Sequence, residues 1–274
     1  AANCPADLSL PQAGIGRMAA AKRMARQTHG ATNTRRDKHR RGFLMKAASG
    51  KIDGQNGALP PALVHVCLAL AVLNVAFPVA AWFAHGWIFD DAGIGLPTDF
   101  INVWSAGKFA LAGDAPAAYD WDLQKQLQVI VLGRDFPGHA AWHYPPPFLL
   151  VAAALALVPY GLAYALWPLI SFVPFAITVR AIAGRPFGWV LALGFPVVLA
   201  NTLVGQNGFL TAALVGATLY LMPTRPVLAG LCLGLLSYKP QYGVLFPLVL
   251  IAAAQWRTFA SAAATVALLF VVSS

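Results

Sequence analysis

The amino-acid sequence predicts an all-α protein that forms a polytopic bundle of transmembrane helices. Of its 274 residues, 58% are hydrophobic and only 11% are charged, whereas soluble globular proteins carry about 25% charged residues. Uncharged apolar runs, such as residues 62–83, reach the roughly 20 residues that a helix needs to cross a membrane. Because lipid offers the backbone no hydrogen-bond partner, such runs must form helices. The composition therefore excludes an ordinary soluble domain.

Residues 1–60 are a separate basic segment. They contain eleven Lys or Arg and three Asp, a net charge of +8, whereas residues 61–274 carry a net charge of only +1. The segment is rich in small and polar residues, so we expect a disordered cytoplasmic tail that is attracted to anionic lipid. It lacks interleaved aromatic residues and precedes the first apolar run, so no nucleic-acid partner is expected.

The apolar runs of residues 61–274 predict a membrane-embedded domain with seven spans. The run at 147–158 is too short to span comfortably, so we expect an interfacial or re-entrant helix there. The spans that remain begin at residues 62, 161, 188, 208, 227, 240 and 258. With this number of spans, the basic residues of the later loops fall on the same side as the tail: Arg180, Arg185, Arg225 and Arg257. That arrangement agrees with the excess of basic residues in cytoplasmic loops.

The acidic residues concentrate in the predicted first outer loop, residues 85–146. All ten acids of the chain are Asp, seven lie between positions 90 and 135, and none follows. Asp99 stands in the stretch PTDFINVWSAGK, shortly after the first span. The same topology places three polar stretches on the outer side with it: Trp142-His143-Tyr144, Gly205-Gln206-Asn207-Gly208 and Ser237-Tyr238-Lys239-Pro240. Polar residues at membrane depth are by default functional candidates.

These stretches resemble glycosyltransferase family 87, a family of polytopic, mannosyltransferase-like membrane enzymes of the GT-C class. The resemblance rests on four motifs that occur in the family's order: Asp99-Phe100 followed by Gly113 and Tyr119-Asp120; His143-Tyr144-Pro145-Pro146; Gly205-Gln206-Asn207; and Ala229-Gly230 leading to Lys239-Pro240. It implies a helical bundle of GT-C type with a large first extracytoplasmic loop that carries juxtamembrane helices. Members of the family continue well beyond the position that corresponds to Ser274, so residues 61–274 are expected to lack the C-terminal third.

The resemblance implies an integral membrane hexosyltransferase. The enzyme would transfer a hexose, mannose by analogy, from a polyprenyl-phosphate sugar to an extracytoplasmic glycolipid or glycan acceptor, with inversion. The lipid-linked donor is then a co-substrate, and neither a cofactor nor a metal is expected. Such an enzyme would be a multi-pass protein of the plasma (inner) membrane, in contact with membrane lipids, with its active face outside. The alternative is a transporter or flippase for a lipid-linked or small polar substrate, although transporters often show repeated halves and this sequence shows none.

The expected transfer needs a base and a group that stabilises the leaving phosphate. The resemblance makes Asp99 the catalytic base. For the donor phosphate we expect Lys239, His143 and Tyr144, and for the sugar or acceptor Gln206, Asn207 and Trp104.

Structural roles are the alternatives for the same residues. Asp99 could simply cap the helix that begins near Phe100, and Lys239 could extend to lipid headgroups. The remaining Asp residues of the loop are expected to be helix caps or solvated side chains. His139 and His143 have a spacing that can bind a metal on a helix, but the sequence offers them no third ligand.

The predicted topology can be tested by cysteine labelling from the two sides of the membrane. A cysteine introduced at Gly113 should react from the outside and one at Arg225 from the inside, above the background of the native cysteines. Reaction of both positions from the same side would contradict the predicted topology.

Overall fold

The structure, a computed structural model, describes residues 60–273, which are mostly helical. Within this range no strand forms beyond one isolated bridge between Phe89 and Gly95. The predicted tail lies outside the described residues, apart from Pro60. Two short 3-10 helices cover Ala115–Tyr119 and Leu236–Tyr238. The α-helices are α1 (Pro61–Phe83), α2 (Phe100–Leu111), α3 (Trp121–Leu132), α4 (Pro147–Ala156), α5 (Tyr160–Ala183), α6 (Gly188–Leu193), α7 (Val197–Val204), α8 (Gly208–Leu221), α9 (Pro226–Leu235), α10 (Pro240–Gly243), α11 (Phe246–Ala252) and α12 (Trp256–Val272).

Helices α1 and α5 are long and apolar enough to cross a membrane. They contain 23 and 24 residues, about 35 Å each at 1.5 Å per residue, against a hydrocarbon core of about 30 Å. Pro61 occupies the first turn of α1, where the missing N–H is tolerated because it would have no helical acceptor. The structure therefore supports two of the seven predicted spans by length and composition.

The other five predicted spans are shorter or interrupted helices, so the seven-span topology stays a prediction. The run at 188–204 divides into α6 and α7 around Gly194-Phe195-Pro196. The side chain of buried Asn74 in α1 stabilises this break. Its Nδ2 donates to the carbonyl oxygens of Leu193 at 2.6 Å and Phe195 at 3.1 Å. A polar side chain inside a membrane-length helix thus satisfies carbonyl groups that a helix break exposes.

The predicted first outer loop contains α2, the 3-10 helix and α3, as expected of a loop that carries helices. Its Asp residues mostly have the structural roles expected of them. Asp120 caps α3 by accepting from the backbone N–H groups of Asp122 and Leu123, and Asp114 caps the 3-10 helix. Asp90 accepts two backbone N–H groups and forms an ion pair with Arg134. The roles of these three residues as caps or loop residues are confirmed.

The helix expected at 147–158 forms as α4 and packs on α2. It has 10 residues, and buried Phe148 and Ala152 lie on the packed side. The two helices approach so closely at Gly107 that a Cβ there would lie 2.1 Å from the carbonyl oxygen of Ala152. Only glycine fits such an approach. The contact continues towards the start of α2, where Phe100 stacks on Tyr164, so the start of α2, with Asp99, lies beside the end of α4 and the start of α5.

Gly107→Ala should therefore destabilise the fold. Overpacking of a close contact costs about 1–3 kcal/mol, and the opposing atom is backbone, which cannot rotate away. Thermal unfolding in detergent should show a lower midpoint for this variant. Gly243→Ala is the matched control, because nothing lies within 4 Å of its Cβ position. Equal midpoints for the two variants would contradict the packing of α2 on α4.

Candidate active site

Asp99 directly precedes α2, but its carboxylate does not cap the helix. The residue is exposed and makes no side-chain hydrogen bond to the first turn of α2. Its Oδ2 instead accepts from Nε2 of Gln206, a residue 107 positions later in the chain. The structural alternative for Asp99, a helix cap, is therefore wrong, because its carboxylate is held by a distant amide.

The turn Gly205–Gly208 presents Gln206 to Asp99. Buried Asn201 holds this turn, since its Nδ2 donates to the carbonyl oxygen of Gln206 and its Oδ1 accepts from the N–H of Gly208, both at 3.0 Å. Gly205 has φ +71°, and a Cβ there would lie 2.6 Å from Cβ of Phe100. The turn is thus packed against the residue next to Asp99, which brings the Gln206 side chain within reach of the Asp99 carboxylate.

His143, Tyr144 and Lys239 line one cleft of about 460 Å³, together with Tyr119, Pro145, Tyr238, Pro240 and Gln241. Nζ of Lys239 lies 5.9 Å from the centroid of the Tyr144 ring. The structure thus brings together the three residues predicted to bind the donor phosphate, although they are separated by nearly 100 positions in the chain.

Aromatic packing fixes the walls of this cleft. Phe148 at the start of α4 stacks on Tyr238 at a centroid distance of 4.6 Å and lies 4.8 Å from Tyr144. Tyr238 directly precedes Lys239, and Tyr144 is held at its backbone, because its carbonyl oxygen accepts from the Tyr119 hydroxyl at 3.1 Å. Since aromatic pairs bury large areas in defined geometries, the two chain segments keep a fixed separation.

His143 is exposed at the rim of the cleft, and one of its ring nitrogens is already engaged. Nδ1 lies 2.8 Å from the carbonyl oxygen of Ala141. A carbonyl can only accept, so Nδ1 carries a proton, and Nε2 is the nitrogen that can contact a ligand. In the neutral ring Nε2 accepts a hydrogen bond, and in the protonated ring it donates one to an anion.

The charges of Asp99 and Lys239 act on the same region. Burial lowers the pKa of Lys239, and the negative charge of Asp99 opposes that shift. Burial raises the pKa of Tyr144; the nearby Asn207 amide opposes this shift, and the charge of Asp99 adds to it. Yet the ion pairs among residues 60–273 do not include Asp99 with Lys239. The charge of Asp99 therefore acts on two residues that line the cleft, without an ion pair to Lys239.

Asn207 supplies unused hydrogen-bonding capacity beside the cleft. The residue is fully buried, and its amide lies near the Tyr144 hydroxyl but forms no hydrogen bond of good geometry within the described residues. Its backbone carbonyl accepts from the hydroxyls of Thr211 and Tyr238, which fixes the residue in place. Unpaired buried polar atoms are costly, so a hydroxyl-rich ligand that reaches them would gain strong hydrogen bonds.

Trp104, predicted to bind the sugar, lies away from the cleft. It is buried, its Nε1 donates to the carbonyl oxygen of Val158 at 3.0 Å, and its ring packs edge-on against Tyr160. Trp104 therefore packs α2 against the end of α4 and the start of α5. Its predicted contact with a sugar has no counterpart in this geometry.

No group of three His, Cys, Asp or Glu side chains within residues 60–273 could hold a metal ion. His139 and His143 lie in the loop between α3 and α4, not on a helix, and the centroid of each ring lies 6.1 Å from that of Trp121. The sequence analysis missed three residues that shape the site: Asn201, Tyr119 and Tyr238. The two tyrosines stand within or next to the polar motifs, whereas Asn201 is hidden in an apolar run.

Comparison with known proteins supports the resemblance to glycosyltransferase family 87. The model of that family matches residues 142–274. The matched range contains His143, Gln206 and Lys239, while Asp99 precedes it and joins it through Gln206. No curated protein and no solved structure was found to match the chain. The family match supports a glycosyltransferase, and hence a sugar donor and an acceptor as its substrates.

The electrostatic link across the cleft can be measured. Asp99→Asn should lower the pKa of Lys239 further, because it removes the charge that opposes the effect of burial. The pKa can be read from the NMR signal of ¹³C-methylated lysines, with Lys239→Arg to assign the signal. Asp135→Asn is the control, since its carboxylate pairs with Lys125 at 2.9 Å and should leave Lys239 unaffected. An unchanged pKa in Asp99→Asn would place the two groups on different surfaces.

Proposed function

We propose that this protein transfers a hexose, mannose by family resemblance, from a polyprenyl-phosphate sugar to an extracytoplasmic glycolipid or glycan acceptor. The observation that carries the proposal is that Tyr144 and Lys239 line one cleft and both feel the charge of Asp99, which forms no ion pair with Lys239. A transfer from a lipid phosphate needs both a proton acceptor and a cation, separated by the reacting sugar. The match to glycosyltransferase family 87 supports the same reaction class.

Asp99 takes the part of the general base. Its carboxylate removes the proton from the acceptor hydroxyl as that oxygen forms a bond to the anomeric carbon of the donor sugar. Gln206 acts as a positioning residue, because the hydrogen bond from its amide aims one carboxylate oxygen and leaves the other for the acceptor. The sequence position of Asp99, shortly after α1, suits a base at the outer surface of the membrane.

Lys239 stabilises the leaving group. As the bond between the anomeric carbon and the phosphate oxygen breaks, the electron pair stays on that oxygen, and negative charge grows on the phosphate. A positioned ammonium favours this change through charge-assisted hydrogen bonds. The Tyr144 hydroxyl is a further donor in the same cleft, and Nε2 of His143 becomes one when the ring is protonated.

Direct displacement by the acceptor inverts the configuration of the anomeric carbon, since attack comes from the face opposite the phosphate. No step of this scheme needs a metal ion or a cofactor. Gln206 and Asn207 are the side chains that we assign to the sugar hydroxyls, and the amide of Asn207 is buried near the Tyr144 hydroxyl. We place the reaction at the outer face of the plasma (inner) membrane, in a multi-pass chain.

The direct test is incubation of the purified chain in vesicles with labelled polyprenyl-phosphate mannose and total membrane lipid. Label in a glycan or glycolipid product would support the transfer. Movement of the donor between the leaflets without a product would instead favour a flippase, the alternative function.

In a chain that shows transfer, Asp99→Asn should lower kcat by the roughly 10²–10⁴-fold typical for the loss of a general base. The amide keeps the shape of the side chain but cannot take the proton. Donor binding should persist, because the phosphate contacts lie on other residues. Asp114→Asn is the control, since Asp114 caps a 3-10 helix. Normal turnover of Asp99→Asn would show that another group is the base.

A further inference from the structure

Trp121 is an exposed aromatic side chain at the edge of the cleft. It is the first residue of α3, and 55% of its surface is accessible. Its ring centroid lies 6.1 Å from that of His139 and 6.1 Å from that of His143. This large apolar ring lies beside two imidazoles and keeps more than half of its surface accessible.

A continuous strip of rings connects Trp121 with the cleft. His143 lines the cleft beside Tyr144 and Lys239 and also lies next to Trp121. Tyr119, two residues before Trp121, lines the cleft as well and is itself exposed. Any ligand that extends from the cleft over His143 therefore meets the face or edge of Trp121.

The polar groups around Trp121 suit hydroxyl groups. The Asp122 side chain is 88% accessible, and its carboxylate lies 3.7 Å from Nε2 of His139. Together with His143, these side chains offer both donors and acceptors around one exposed indole. Sugars bind such arrangements, because their C–H faces pack on an aromatic ring while their hydroxyls form hydrogen bonds at its rim.

The apolar side of α3 faces away from this strip. Leu123 and Ile130 are exposed and stand about two turns apart, so they share one side of the helix. Ile130 follows Trp121 by nine residues, about 2.5 turns, which places it on the opposite side. If α3 lies on the membrane surface, the side with Leu123 and Ile130 is the one suited to lipid. Trp121 is then directed away from the bilayer.

We infer that Trp121, with His139 and His143, forms a glycan-binding subsite that holds a sugar residue of the acceptor next to the reacting one. The inference rests on the proposed function, in which the donor phosphate occupies the part of the cleft around Lys239. It narrows the acceptor to a molecule that already carries at least two sugar residues, one at the reacting position and one on Trp121. It also assigns to exposed Trp121 the sugar contact that the sequence predicted for Trp104, which is buried.

Binding can be tested without donor or turnover. The purified full chain is titrated with neutral oligosaccharides of mannose, glucose and galactose, one to four residues long, and binding is followed by saturation-transfer NMR. The wild-type chain should bind at least one di- to tetrasaccharide more tightly than the corresponding monosaccharide. Trp121→Ala should weaken that binding tenfold or more, and Trp121→Phe should retain most of it. No binding of any oligosaccharide to the wild-type chain would overturn the inference.

Trp256→Ala is the matched control. Trp256 is also the first residue of a helix, is 58% exposed and contacts Phe259, but it does not line the cleft. This variant should bind oligosaccharides as the wild-type chain does. Equal losses in Trp121→Ala and Trp256→Ala would point to a general loss of structure and would overturn the assignment of the subsite.

A membrane-interface role for Trp121 is the competing outcome. A bimane label on Trp121→Cys, corrected for labelling of the native cysteines, should be quenched by iodide in the aqueous phase. Quenching by brominated phosphatidylcholine instead would place position 121 in the lipid and overturn the inference.

The subsite and the proposed function fail in different ways. If transfer occurs but Trp121→Ala leaves the KM for the acceptor unchanged, the subsite is wrong and the function stands. If the oligosaccharide binds through Trp121 but no transfer occurs, the subsite stands and the proposed reaction is wrong.

Discussion

The approach of Gly205 to Phe100 and Tyr164 joins the two halves of the site, which are more than 100 residues apart. A Cβ on Gly205 would lie 2.6 Å from Cβ of Phe100 and 2.8 Å from Cε2 of Tyr164, so the backbone itself packs against the two rings. The Tyr164 hydroxyl also donates to the carbonyl oxygen of Leu203 at 2.5 Å. Because the turn after α7 cannot slide along this surface, the Gln206 amide stays beside Asp99.

The site can hold opposite charges apart because a different set of contacts fixes the other wall. Tyr144 and Lys239 are carried by the aromatic packing of Phe148 and Tyr238, whereas Asp99 is carried by α2 and the turn at Gly205. Asp99 and Lys239 are therefore held in place by separate sets of contacts. An enzyme that must place a sugar between a base and a cation needs this separation, since a direct ion pair would fill the space with its own side chains.

The positions of most helices could be predicted from local sequence, whereas the lengths of the helices could not. Hydropathy located helices at every predicted span, because apolar composition and turn residues are local properties. The helices of the outer loop were expected only from the family resemblance. Hydropathy also did not predict that the run at 188–204 would divide at Gly194-Phe195-Pro196. The break persists because Asn74, on a different helix, hydrogen-bonds the carbonyl groups on either side of it. Only the packing of α1 against α6 and α7 supplies that partner.

The sequence by itself determined the type of chemistry: one Asp-rich segment after the first span, one cation beyond position 134 expected outside, and polar turns in an otherwise apolar chain. Their chemical capacities are properties of the side chains and need no coordinates. Only the tertiary structure decided which side chains meet. In the structure the Asp99 side chain does not cap α2. Trp104 is buried, whereas Trp121 is exposed beside the cleft. A tryptophan side chain has the same hydropathy at both positions. Whether it is buried depends on neighbours from distant segments of the chain.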